Sequence, residues 1–123
     1  MMTMTQPKPN FKRGYIALVL FPNSDLITAK TRPAIIVQAD NLQTGIPQII
    51  VAMITSQMFR AGQPSRVTIL RNSPEGQQSG LLVDSVIMTD NLATIATSAI
   101  YRLIGSIPTE NVDTALKYTL NLQ

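Results

Sequence analysis

Two apolar, β-branched runs of strand length stand on either side of a polar loop in the middle of the chain. The runs span residues 31–38 and 48–57, and the loop between them, residues 39–47, contains turn-forming Asn, Gly and Pro. Antiparallel pairing about the centre of this loop places Arg32, at the entry of the first run, opposite Thr55, near the exit of the second. The pattern therefore predicts a hairpin with a guanidinium and a hydroxyl together at its open end.

Shorter apolar runs predict further strands before and after this hairpin. Residues 15–22 are typical of a buried first strand, residues 66–70 alternate polar and apolar positions as a half-exposed strand does, and residues 81–88 regain strand propensity. Residues 23–30 and 71–80 are polar connections. The first of these is long enough to be a mobile flap.

Helical spacing is confined to the last third of the chain. Apolar residues between Leu92 and Leu103 recur at helical spacing, and we expect a short helix over residues 96–103. Thr109 is placed to cap a C-terminal helix, which Pro108 prevents from extending upstream. One face of that helix would carry Val112, Ala115, Leu116, Thr119 and Leu120.

These elements predict a mainly β domain, a small antiparallel barrel with short helices and a C-terminal helix. Residues 1–10 are polar and contain two prolines, so we expect a flexible N-terminal tail. Residues 11–123 are then expected to form a single domain, because 123 residues suffice for one core but not for two.

The composition excludes several kinds of site. The chain contains neither cysteine nor histidine, so it has no disulfides, no thiolate or imidazole metal ligands, and no Cys or His nucleophile or base. It also lacks Gly-x-Gly-x-x-Gly, Walker and Gly-x-Ser-x-Gly motifs. We expect no metal and no cofactor. Without cysteines and without an apolar run of ~20 residues, a cytoplasmic protein that does not span a membrane is the simplest interpretation.

The formal net charge of +3 is unevenly distributed. Residues 1–71 contain eight of the ten Lys and Arg residues but only two of the seven Asp and Glu residues. A basic half favours phosphate-rich partners or an acidic peptide, although an ordinary solvated surface explains the charge alone equally well. Within this basic half, Arg66 and Arg71 are expected to contact phosphates that lie outside any reacting centre.

Arg32 and Thr55 are the pair best suited to chemistry. Each has an ordinary interpretation, Arg32 as a surface charge next to a proline and Thr55 as a β-branched strand residue. Together they suit cleavage of single-stranded RNA by the substrate's own ribose 2′-OH, a reaction that needs no metal and no protein nucleophile. A guanidinium offers two parallel donors to phosphate oxygens and stays charged at physiological pH.

Several short motifs, in order along the chain, resemble the MazF/PemK family of toxin ribonucleases. They are Lys12-Arg13-Gly14, Thr31-Arg32-Pro33, Ile54-Thr55, Gly80-Leu81-Leu82, Asp84-Ser85-Val86-Ile87 and Arg102-Leu103-Ile104-Gly105. Three positions depart from the family pattern. Tyr15 stands where the family usually has Asp, residues 25–28 replace a Gly-Ser-Glu-Gln type of loop, and residues 92–94 replace Ile-Arg-Thr.

The resemblance implies an SH3-like barrel of the CcdB/MazF type that forms a homodimer. It implies the toxin of a type II toxin–antitoxin system, a metal-independent, sequence-selective endoribonuclease that cleaves single-stranded RNA or mRNA and binds a cognate antitoxin. Arg32 and Thr55 occupy its catalytic positions. The expected RNA-binding residues are Lys30, Thr31, Ser56, Gln57, Arg13, Asn23 and Ser24.

Two alternatives share this fold. A CcdB-like protein would poison a protein target such as gyrase without cutting RNA, and a catalytically weakened homologue would only bind RNA or antitoxin. The presence of both Arg32 and Thr55 favours the nuclease.

Overall fold

The computed structural model describes residues 11–123, and in this range six antiparallel strands form one sheet. The strands are β1 (Tyr15–Pro22), β2 (Ala29–Ile36), β3 (Gln48–Thr55), β4 (Arg66–Ile69), β5 (Ser85–Ala96) and β6 (Ile100–Ser106), and the helices are α1 (Pro74–Ser79) and α2 (Glu110–Leu120). Their order in the sheet is β4-β5-β3-β2-β1-β6, and the two outer strands do not pair, so the sheet is not closed. The mainly β class with a C-terminal helix is confirmed, whereas the predicted tail, residues 1–10, lies outside the described residues.

Alternate side chains of the strands enter two buried clusters, as expected for a sheet covered on both faces. Ile16 and Ile35 pair across β1 and β2 and lie in one cluster, while their neighbours Ala17 and Ala34 lie in the other. Helix α2 covers the first cluster, where Val112 is fully buried. Each large apolar side chain buried in this way contributes about 1.5–3 kcal/mol to folding.

The central hairpin has the predicted register. Ala34 pairs with Met53, and the ladder continues to Ile36. Extending this register outward by two residues brings Arg32 level with Thr55. Pro33, which has no N–H to donate to a ladder, lies next to the point where pairing between β2 and β3 ends. The hairpin is therefore open at the end that carries the two side chains.

The helix expected over residues 96–103 is wrong. Strand β5 continues to Ala96, a single 3₁₀ turn covers Thr97–Ala99, and β6 begins at Ile100. The helical periodicity there is weak, and pairing of β6 along β1 decides the local structure. Tertiary pairing thus overrides the sequence pattern.

A short helix, α1, interrupts the segment predicted as a polar loop. The Ser73 hydroxyl accepts a hydrogen bond from the Gly76 N–H, Pro74 occupies the first turn, and Gly80 ends the helix at a φ of 75°. A Cβ on Gly80 would overlap the carbonyl oxygen of Ile104. This close approach fixes residues 81–83 beside β6.

Helix α2 begins where the sequence predicts. Thr109 occupies the N-cap position, but its hydroxyl makes no capping hydrogen bond. Val112 and Ala115 of the predicted face are buried, whereas Leu120 is half exposed. None of the helices in the described part of the chain has the length and hydropathy of a membrane span.

Candidate active site

Arg32 and Thr55 lie where two surface recesses meet. The larger recess has a volume of about 460 Å³ and the smaller one about 290 Å³, and both are lined by Arg32, Thr55 and Gln57. We call them the first and the second recess. A ligand that extends from one recess to the other must cross this pair of side chains.

The first recess combines cations with an apolar wall. Lys30, Arg32 and Arg102 line it, and no carboxylate is among its lining residues. Its wall includes Leu82 and Val83, both exposed, which the contact of Gly80 with β6 holds in place. This surface suits a polyanion that also carries flat or apolar groups.

Arg32 is linked to a carboxylate through two intervening side chains. Its Nη2 donates to Asn23 Oδ1 at 3.4 Å, Asn23 Nδ2 donates to Thr28 Oγ1 at 2.9 Å, and the Thr28 hydroxyl donates to Asp25 Oδ2 at 2.7 Å. Every hydrogen bond in this chain points from the guanidinium toward the carboxylate. The chain orients Arg32 while leaving most of its donors free.

The β1–β2 connection that carries this chain is a hydrogen-bonded turn. Asp25 Oδ1 also accepts from the backbone N–H groups of Ile27 and Thr28, both at 2.9 Å. The Thr28 N–H, followed by the Ile27 N–H and the Thr28 hydroxyl, lowers the pKa of Asp25 below its usual range. These hydrogen bonds give the connection a defined turn, from which Leu26 and Ile27 project into solvent.

Thr55 is buried, with 6% of its surface exposed. Its Oγ1 accepts the backbone N–H of Gln57 at 3.2 Å, so the hydroxyl proton remains available to a ligand in the recess. Ser56 and Gln57 are exposed at the rim. The β3 strand thus ends with one fixed hydroxyl beneath two adjustable polar side chains.

The structure brings most of the predicted site residues together. Both recesses contain Arg32, Thr55 and Gln57. The first recess adds Lys30, Thr31 and Ser56, and the second adds Asn23 and Ser24.

Arg13, which was also predicted to bind RNA, lines neither recess. Its guanidinium forms an ion pair with Asp113 of α2 and donates to the carbonyl of Val37 at 3.0 Å. These contacts tie α2 to the sheet, so the structure gives Arg13 a stabilising position away from both recesses.

Three polar residues at the recesses are missed by the sequence analysis as site residues. Arg102 belongs to a family motif. It lines the first recess because β6 pairs with β1, which places Arg102 opposite Leu18, and the sequence did not predict this pairing. Arg60 and Asn91 line the second recess, where a 3₁₀ helix, Met58–Arg60, and strand β5 bring them together. Arg60 lies shortly after Thr55 in the sequence, and this proximity could have identified it as a candidate site residue.

Arg66 is not a free phosphate ligand. Its Nη2 lies 3.0 Å from Asp90 Oδ2, and its Nη1 donates to the carbonyl of Arg60 at 2.9 Å. The hydrogen bond from Arg66 is the main reason that the pKa of Asp90 is lowered. Among residues 11–123, no group of three or more acidic side chains is placed to hold a metal ion.

Comparisons with solved structures show the same fold. A mycobacterial endoribonuclease shares 18% identity and superposes with a TM-score of 0.69 over 95% of this chain and 97% of its own. The Mycobacterium tuberculosis toxin MazF-mt6 shares 21% identity at a TM-score of 0.65, covering 87% of this chain and 98% of its own. MazF from Deinococcus radiodurans shares 17% identity at 0.67, covering 90% and 96%.

Sequence comparison gives the family. A search of curated protein sequences yields no significant match. The sequence model of the PemK-like, MazF-like toxins of type II toxin–antitoxin systems, in contrast, matches residues 12–120. This match covers almost the whole chain, and the chain therefore belongs to that toxin family.

Proposed function

We propose that this toxin is an endoribonuclease that cleaves single-stranded RNA, including mRNA, with the ribose 2′-OH of the substrate as nucleophile. The observation that carries the proposal is the placement of Arg32 beside Thr55 at the junction of two recesses that no carboxylate lines. Family membership and the endoribonuclease fold of its structural neighbours support it.

In this reaction the 2′-oxygen attacks the adjacent phosphorus and loses its proton to water. The bond from phosphorus to the 5′-oxygen then breaks, and the leaving oxygen takes up a proton. The products are a 2′,3′-cyclic phosphate and a 5′-hydroxyl. Charge accumulates on the phosphate oxygens in the transition state, so a preorganised cation accelerates the step.

Arg32 supplies that cation. Its planar fork donates two parallel hydrogen bonds to the phosphate, an effect worth ~3–4 kcal/mol per donor in comparable sites. Arg32 acts here as an electrostatic stabiliser and not as a proton donor, because a guanidinium keeps its proton in proteins. Thr55 uses its free hydroxyl proton to hold a phosphate oxygen or to orient the 2′-OH. Lys30, Thr31, Ser56 and Gln57 contact the RNA around this centre.

The same surface is proposed to bind a cognate antitoxin. One similar structure is an endoribonuclease in complex with its cognate antitoxin from a mycobacterial species, and another is MazE-MazF from Deinococcus radiodurans. An antitoxin segment with acidic and apolar side chains matches the cations and the apolar wall of the first recess. Such a segment would inhibit by occupying the phosphate position. We expect toxin, mRNA and antitoxin to meet in the cytoplasm.

We further propose a homodimer. Strand β6 is an outer strand of the sheet and exposes Tyr101 and Leu103, while the end of α2 exposes Leu120 and Leu122. Exposed apolar side chains of this kind are a candidate surface for association with a second copy of the chain.

End analysis of the RNA products tests the nuclease. The purified protein is incubated with single-stranded RNA in EDTA, and the cut ends are sequenced and their phosphates identified. We expect a defined cut site with cyclic phosphate and 5′-hydroxyl ends, and no cutting when the scissile ribose lacks its 2′-OH. Normal cutting of the deoxy substrate contradicts the mechanism. Intact RNA would favour the gyrase-type inhibitor or the binding-only homologue.

A further inference from the structure

The second recess is lined by two guanidinium groups, several neutral polar side chains and no carboxylate. Arg60 and Asn91 line it together with Arg32. Arg60 Nη1 lies 3.6 Å from the sulfur of Met88, and Asn91 Nδ2 lies 3.4 Å from the sulfur of Met53. Thioether sulfur is a weak acceptor, so these donors keep most of their hydrogen-bonding capacity for a ligand.

The positive charge of Arg60 has no direct carboxylate partner in the described part of the chain. The ion pairs there join Arg13 to Asp113 and Arg66 to Asp90. Arg60 interacts with Asp90 only by long-range electrostatics, and Asp90 already forms an ion pair with Arg66. Arg60 and Arg32 therefore line one small recess that has no carboxylate among its lining residues.

The position of Arg60 is fixed from two sides. The carbonyl of Arg60 accepts a hydrogen bond from Arg66 at 2.9 Å, and its own N–H donates to the Gln57 carbonyl at 3.0 Å. Arg60 is half-buried, and its guanidinium carbon lies 5.7 Å from the centre of the Phe59 ring. The hydrogen bonds fix the backbone from which the side chain extends. The contact with Phe59 restricts the side chain itself, which lowers the conformational entropy that it would lose on binding an anion.

We propose that the second recess binds a phosphate group adjacent to the scissile phosphate in single-stranded RNA. Arg60 is its principal ligand, and Asn91 donates a further hydrogen bond. This inference rests on the proposed function, because it takes Arg32 and Thr55 as the place where the RNA is cut. The RNA then runs from the first recess, across Arg32, into the second.

A first test measures how salt affects binding of a 12-nucleotide single-stranded RNA. For single strands, each phosphate contact contributes about 0.7 to the slope of log K against log salt. We expect Arg60→Ala to reduce that slope by about 0.7 and Arg60→Lys to preserve it. Lys12→Ala removes one exposed charge that lines neither recess and should leave the slope unchanged. An Arg60→Ala slope equal to the wild-type slope, with Arg60→Lys also unchanged, overturns the proposal.

A second test locates the phosphate. After the cut site has been mapped, the linkage on either side of it is replaced in turn by a neutral methylphosphonate. We expect one replacement to weaken binding to the wild type but to have no further effect on Arg60→Ala. Additive losses at both positions overturn the proposal, because Arg60 would then act independently of either phosphate.

The two tests separate this inference from the proposed function. If the wild-type protein leaves the RNA intact, the nuclease proposal fails while the salt slope still reports whether Arg60 binds phosphate. If the RNA is cut and the slope of Arg60→Ala is unchanged, the nuclease proposal stands and the subsite does not.

Discussion

Arg32 and Asp25 do not touch, yet an unbroken chain of three hydrogen bonds through Asn23 and Thr28 joins them. A direct ion pair would orient the guanidinium but would also occupy its donors. The indirect link orients it and leaves it available for a phosphate. We therefore propose that the β1–β2 turn positions Arg32 for the reaction.

Thr28→Ala interrupts this chain and should slow single-turnover RNA cleavage about fivefold, the equivalent of ~1 kcal/mol for one hydrogen bond. RNA affinity should change less than twofold, because Thr28 lines neither recess. Thr44→Ala is the matched control, since Thr44 makes comparable local hydrogen bonds in the exposed β2–β3 loop. Equal cleavage rates for the two variants would show that the chain does not position Arg32.

The fold was predictable where local pattern and tertiary pairing agree. The β2–β3 hairpin has β-branched arms and a turn-rich loop, so its register follows from the sequence. The segment 96–103 was not predictable, because its weak helical spacing gives no sign of the pairing with β1 that makes its second half a strand. Helix α1 was predictable from its ends, because Ser73 suits an N-cap position and Gly80 suits the end of a helix.

The Arg66–Asp90 pair should contribute to stability in a pH-dependent way. Because the folded-state pKa of Asp90 is lowered, its contribution is complete above the ordinary pKa of ~3.9 and is lost as the pH falls through the lowered value. Asp90→Asn should cost no more than about 1 kcal/mol at pH 7, since both side chains are partly exposed. Urea unfolding of both proteins should show this difference shrinking in acid. A difference that is the same at pH 7 and well below pH ~3.9 would exclude the ion pair as its source.

Light scattering at micromolar concentration should give twice the chain mass of 13.4 kDa. We propose that the exposed apolar side chains of β6 and of the end of α2 form the surface for this association. Leu103→Asp, which places a charge on the outer strand, should shift the protein toward the monomer. A wild-type monomer under these conditions would refute the dimer.

The candidate site was predictable only in its centre. Arg32 and Thr55 follow from the register of one hairpin, which the sequence contains in a single stretch. Arg60, Asn91 and Arg102 depend on how a 3₁₀ turn and two further strands fold around that hairpin. The ion pair of Arg13 with Asp113 could not be predicted, because the two residues lie a hundred positions apart in the sequence.

The most direct measurement of the central claim is single-turnover cleavage by Arg32→Lys at saturating enzyme, in EDTA. Lysine keeps the positive charge but loses the planar fork, so RNA binding should change modestly while the cleavage rate falls by ~10²-fold or more. Lys12→Ala, the charge-loss control outside both recesses, should cleave as the wild type does. If Arg32→Lys also cleaves at the wild-type rate, Arg32 is only part of the basic field and the reacting centre lies elsewhere.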